Sequence, residues 1–266
     1  MVTARGRRRG VATLGGVISA VAFLPQPPLL LPELAGAAAA ETADVRDACR
    51  VAAARLAARA SHWVAVGADP GGRRTVGSGA VGTFAGFGVD VRVALDTAAA
   101  YSSSGSGAPV TVADRDMALP LLVAGWAAAS TGAAVTIRGE LVAPDLPTAD
   151  CLALGRELAD AAALDDRPVG LLVVGDGAAT HTEKAPGHLD PRAAAFDDGV
   201  AAALAAADTD ALAALDPDVA TQLWVAGRAP WQVLAGAAAG RRWDAELLCS
   251  TAPFGVAYHV AFWTPG

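Results

Sequence analysis

Histidine, cysteine and aromatic side chains are all scarce in this chain. Four histidines in 266 residues leave little material for an imidazole-built metal site. The three cysteines, Cys49, Cys151 and Cys249, are far apart and odd in number. No CxxC pair occurs, so neither a zinc knuckle nor a disulfide framework is indicated. Buried free thiols in a reducing cytosol are the expectation. Charged residues make up only 18%, and their balance is acidic, with a net charge of -7. Such a surface repels phosphate backbones, which argues against nucleic acid as a partner. No apolar run is long and unbroken enough to span a bilayer, so no membrane partner is expected. Walker A and GxSxG sequences are absent. Residues 77–82 match GxGxxG, but they follow no apolar strand and open no clear helix, so a dinucleotide site is not expected.

What is present is apolar and small. Hydrophobic residues reach 53%, and 29 residues are glycine. Much of the apolar fraction is alanine, which buries little area per residue, so a core must come from close helix–sheet packing. At the start, a basic cluster at residues 5–9, an apolar run at 11–24 and small residues at 35–40 imitate a signal peptide. The sequence Pro25-Gln26-Pro27-Pro28 at the end of that run is foreign to a helical signal core. The division taken is therefore a disordered basic extension over 1–16 and one domain over 17–266, placed in the cytoplasm. Export is the alternative if the segment is a signal.

Along the chain, short β-rich runs alternate with longer alanine-rich runs of helical period. Strands are expected at 17–24, 63–68, 89–95, 134–138 and 169–175, with two more at 245–249 and 255–263 in a terminal hairpin or in the main sheet. Helices are expected at 44–60, at 113–131 with a start or kink near Pro120, at 148–163 and at 191–206. Shorter ones are expected at 209–214, 216–225 and 230–239. Thr148 or Asp150 is the expected cap of one helix and Asp190 of another. Residues 169–175 are apolar throughout, as a strand covered on both faces should be. The alternation implies an α/β domain with a mostly parallel central sheet and helices on both faces. Ligands of such sheets sit beyond the carboxyl ends of the strands. Three loops leave apolar strands there: after Leu24, after Ala68 and after Gly175.

The first of these loops reads Phe23-Leu24-Pro25-Gln26-Pro27-Pro28. The third runs from Gly175-Asp176-Gly177 through Thr180-His181-Thr182-Glu183-Lys184-Ala185-Pro186 to Asp190-Pro191, with Phe196-Asp197 beyond. With the terminal segment Ala252-Pro253-Phe254-Gly255, they resemble the class III extradiol ring-cleavage dioxygenase family, and within it the Memo-like and alanine-rich actinobacterial branch. The resemblance runs from about residue 17 to residue 263. It implies Fe(II) held by two histidines and a glutamate, with a further histidine as acid–base. A facial set of that kind leaves open positions for an aromatic diol and dioxygen.

The chain departs from the family pattern in each loop. Gln26 stands where the family has histidine between prolines. The loop after residue 68 reads Asp69-Pro70 with no histidine, and His62 lies at the opposite end of that strand. Ala179 takes the third histidine's place, with His181 two residues further on. The functional reading is a family-like protein without the standard iron site and with no cofactor, binding a small molecule or a partner in the retained crevice. Asp176 and His181 are its candidate catalytic residues, and Gln26, Asp69, Thr180 and Glu183 line its pocket. The alternative is a divergent Fe(II)-dependent dioxygenase cleaving an aromatic diol, using His181 with Asp176 or Glu246. His259 is expected to be core or sheet surface, and His188 and Lys184 to be solvated. Homo-oligomerisation is left open.

Overall fold

In a computed structural model, residues 17–98 and 112–266 are described. The basic cluster at 5–9, the extension over 1–16 and the serine-glycine loop at 101–109 fall outside them. The strands are β1 (Ile18–Leu24), β2 (His62–Ala68), β3 (Arg74–Val76), β4 (Val81–Thr83), β5 (Arg92–Ala94), β6 (Thr136–Val142), β7 (Val169–Val174), β8 (Trp243–Thr251) and β9 (Tyr258–Pro265). The helices are α1 (Pro32–Ala35), α2 (Ala43–Arg59), α3 (Leu119–Ser130), α4 (Thr148–Leu164), α5 (Ala193–Ala206), α6 (Thr209–Ala213), α7 (Pro217–Gln222) and α8 (Arg228–Ala238).

Seven strands form one sheet in the order β3-β6-β2-β7-β1-β9-β8. The central four, β6, β2, β7 and β1, are parallel. β3, β9 and β8 are each antiparallel to the strand they join. The terminal segment is thus both a hairpin and part of the main sheet, because β9 pairs with β1 and carries β8 to the edge. β4 and β5 form a separate two-stranded sheet, so the strand expected at 89–95 is short and lies apart from the main sheet.

The period of two along the central strands divides the apolar residues between two cores. Ala20, Ala22 and Leu24 of β1 and Leu172 and Val174 of β7 face α2 and α3. Val21 and Phe23 of β1 and Leu171 and Val173 of β7 face α4, α5 and α8. The α/β fold with helices on both faces of a mostly parallel sheet is as the alternation implies.

Small residues set the spacing of the layers. A Cβ on Gly155 of α4 would lie 1.9 Å from the Val233 carbonyl oxygen of α8, and one on Gly236 would lie 2.2 Å from the Leu152 carbonyl oxygen. The two helices meet backbone to backbone, which only glycine permits. α3 begins at Leu119 with Pro120 in its first turn, where proline is tolerated. Gly67 of β2 accommodates that proline ring, since a Cβ there would lie 2.2 Å from it.

Two expected caps are corrected. α4 is preceded by Pro147 and has no side-chain cap. The Thr148 hydroxyl instead donates to Gln232 Oε1 at 3.1 Å, because α8 brings a buried amide within reach. α5 starts two residues later than expected, at Ala193, and Asp190 does not cap it. Asp190 Oδ1 accepts from the Arg192 N–H at 2.9 Å, so the Asp-Pro-Arg sequence closes a turn ahead of the helix. No helix among the described residues is long and apolar enough to cross a membrane.

Candidate functional site

The connections leaving β1 and β7 pass to opposite faces of the sheet. β1 leads to α2, in the first core. β7 leads to α5, in the second. Adjacent parallel strands whose connections diverge in this way open a crevice at their carboxyl ends. The backbones are tied at its rim, where the Gly175 N–H donates to the Leu24 carbonyl oxygen at 2.9 Å. Immediately beyond, the Gln26 backbone N–H donates to Asp176 Oδ1 at 2.6 Å.

Asp176 is partly exposed, yet protein closely surrounds its carboxyl just beyond the carboxyl end of β7. Loss of hydration pushes its pKa up to about 7, and the one Gln26 N–H opposes this only in part. The Gln26 side-chain oxygen is buried and has no hydrogen-bond partner among the described residues. Tyr258, on β9, is buried beside Asp176, and both burial and the Asp176 charge raise its phenol. Burial first, then the neighbouring Cys249 and Asp176, raise the Cys49 thiol on α2. Asp176, Tyr258, Cys49 and Cys249 therefore share one neighbourhood on the α2 side.

A second polar cluster lies on the other face. Asp197 of α5 is buried, and the Ala178 N–H donates to both its oxygens, at 3.2 and 3.1 Å. His181 Nε2 lies 2.6 Å from Asp197 Oδ2, and His259 Nε2 lies 3.1 Å from Asp197 Oδ1. A carboxylate only accepts, so both imidazoles donate from Nε2. With Nε2 as the donor, Nδ1 is the nitrogen that faces the Ser250 hydroxyl, 3.0 Å away. His259 is on β9 and Ser250 directly opposite on β8. Gly177 makes room for this cluster, since a Cβ there would lie 2.3 Å from Asp197 Oδ1.

The candidate residues read from sequence are thus sorted by the fold. Gln26 and Asp176 meet. Asp69, at the end of β2, is held apart from them by the Gly71 N–H at 2.9 Å and by the Arg74 guanidinium. Thr180 is buried, and its hydroxyl has no partner among the described residues. Glu183 is exposed, 3.7 Å from His188, and with Lys184 and Phe254 it borders an open cavity of about 460 Å³. Glu246 is on the edge strand β8, paired at 2.5 Å with Arg55 of α2. His62 accepts from Arg167 at 3.0 Å at the amino ends of the strands, beside a separate cavity of about 290 Å³. Sequence reasoning missed Ser250 and the joining role of Asp197. A signal for part of this existed. A histidine inside the apolar run Tyr258-His259-Val260-Ala261 needs a buried partner, and Phe196-Asp197 supplies one.

The donor set does not fit the Fe(II) that the family resemblance implies. The crevice offers one carboxyl, one carboxamide oxygen and thiols whose ionisation burial opposes. The imidazoles of His181 and His259 are engaged through Nε2 by Asp197. No group of three histidine, cysteine or acidic side chains among the described residues is arranged to hold a metal ion.

Strand order, layer arrangement and crevice define an α/β protein with a mixed, mostly parallel sheet. The fold is similar to the crystal structure of an uncharacterized protein from Escherichia coli K12, at 14% identity and a TM-score of 0.50, over 92% of this chain and 99% of that one. No family model matches the sequence, and no curated protein matches it.

Proposed function

We propose that this chain is an extradiol-dioxygenase-like protein that works without the family's iron site and binds a small molecule in the crevice between β1 and β7. One observation carries the reading: the Gln26 side-chain oxygen is a buried acceptor without a partner, beside the Asp176 carboxyl. A buried acceptor left unpaired costs about 1–3 kcal/mol, and a ligand N–H or O–H would recover it. Asp176, poised near neutrality, can either donate or accept. The ligand class is therefore a small neutral molecule with adjacent donor and acceptor groups, such as a diol or a carboxamide. His181, fixed by Asp197, is the candidate proton carrier on the loop that follows β7. The free thiols Cys49, Cys151 and Cys249 favour a reducing cytoplasmic setting.

The test is metal analysis of protein purified anaerobically with saturating Fe(II), followed by thermal denaturation with small diols and carboxamides. Iron well below one equivalent is expected, together with a rise in Tm for at least one compound that Gln26→Leu abolishes. Stoichiometric iron that is lost on His181→Ala would overturn the proposal in favour of a divergent Fe(II)-dependent dioxygenase cleaving an aromatic diol. Absence of any Gln26-dependent Tm shift would remove the crevice as the binding site.

A further inference from the structure

We infer that Ser250, His259 and Asp197 form a nucleophilic site that hydrolyses small carboxylic esters, on the α5 side of the β8–β9 hairpin and separate from the Gln26–Asp176 crevice. Three relations carry this. Ser250 is exposed, while the His259 ring is shielded, with 2% of its side chain accessible. Hydrogen-bond accounting fixes the direction of the chain. Asp197 accepts from His259 Nε2, so Nδ1 is left to accept from the Ser250 hydroxyl. That is the order of roles in serine nucleophile–base–orienter sites, here with the ring presented by Nδ1. The geometry is rigid, because Ser250 and His259 are cross-strand partners and Asp197 is pinned by the Ala178 N–H.

The surroundings suit a small ester. Ala252, two residues after Ser250, lies just past the end of β8. It borders the open cavity with Phe254 and Lys184. Phe254 is 40% exposed and has a left-handed backbone, φ 60°. A bulky residue held there marks a locally strained turn, of a kind that clusters at ligand sites. Among the described residues β8 is the last strand of the sheet, and an edge strand can offer backbone N–H groups to a developing oxyanion.

The reaction balances without a redox partner. Ser250 Oγ attacks the acyl carbon as its proton passes to His259 Nδ1. The ester C–O bond breaks, and the leaving alcohol takes that proton. Water then attacks the acyl-serine, again giving a proton to Nδ1. Release of the carboxylic acid restores the Ser250 hydroxyl. Asp197 stabilises the transient imidazolium throughout.

The full chain treated with a fluorophosphonate probe should gain one adduct, mapped to Ser250, and should turn over p-nitrophenyl acetate. Ser250→Ala, at an exposed position, should remove the adduct and lower turnover at least tenfold with an unchanged circular dichroism spectrum. His259→Asn should slow labelling at least tenfold if it folds. If it does not fold, the Ser250 adduct and the loss of turnover in Ser250→Ala decide alone. Absence of an adduct on Ser250, or turnover unaffected by Ser250→Ala, would overturn the inference. None of these outcomes depends on iron content or on Gln26, so failure here and failure of the crevice proposal are read separately.

Discussion

Asp176 is a residue whose chemistry its surroundings alter strongly. Burial raises its carboxyl to about 7 in the fold, against about 3.9 in an unfolded chain. The folded state therefore holds the proton more tightly. Between roughly pH 4 and pH 7 the unfolded chain has lost this proton while the native protein keeps it, so stability falls as pH rises through that window. Above about pH 7 both states are ionised, and the full penalty is present. Asp176→Asn keeps an oxygen for the Gln26 N–H and removes the charge. It should stabilise the protein at pH 8 by on the order of a few kcal/mol and change it little at pH 4. Urea denaturation at the two pH values checks this, and equal effects at both would show that the carboxyl is not the titrating group. Asp197 contrasts with Asp176, because three donors meet its charge. Two aspartates of one loop–helix segment thus differ in kind: one is a carboxyl met by the single Gln26 N–H, the other the fixed centre of a histidine pair.

Among the elements, the pair α4 and α8 depends most on sequence detail. Their backbones meet at Gly155 and Gly236, where any side chain would strike a carbonyl or amide. Gly155→Val should cost about 3 kcal/mol or more, because the helices must separate and the second core must open. Gly199, exposed on α5 with nothing near a built Cβ, is the matched control. Gly199→Ala should leave stability unchanged or raise it by up to about 1 kcal/mol. Comparing the two Tm values decides whether glycine acts here through close approach or through chain entropy. Arg228 shows a related economy at the start of α8. It is buried and donates to the carbonyl oxygens of Leu146 and Pro144, both at 2.5 Å, and so fastens the loop after β6 to the helix.

Across the whole molecule, the two cores share the same strands. β1 and β7 give alternate side chains to each, so neither core can form without the other. Thermal or urea unfolding should therefore be a single transition, with far- and near-ultraviolet circular dichroism coinciding. Separate transitions would mean that the two faces fold independently. The C-terminal hairpin belongs to the same unit. Trp263 of β9 packs on Phe23 of β1 with ring centres 4.8 Å apart, and its indole N–H donates to the Leu204 carbonyl oxygen of α5 at 2.7 Å.

Periodicity determined the α/β class, the central strand at 169–175 and the boundaries of α2, α4 and α5 to within two residues, whereas the helix expected at 113–131 starts only at Leu119, where Pro120 fits its first turn. These follow from which side chains must leave water, a property each segment carries in itself. The loops after Leu24 and Gly175 were legible as crevice candidates for the same reason. Only the tertiary structure decided which polar residues meet. Gln26 and Asp176 are 150 residues apart in sequence. Asp197 and His259 are joined only because β9 lies beside β1, with α5 across its face. Glu246 went to an edge-strand ion pair and Asp69 to Arg74, since strand order set their neighbours. Hydrophobic pattern acts locally, whereas a hydrogen-bonded cluster needs the relative placement of distant elements, which no local pattern encodes.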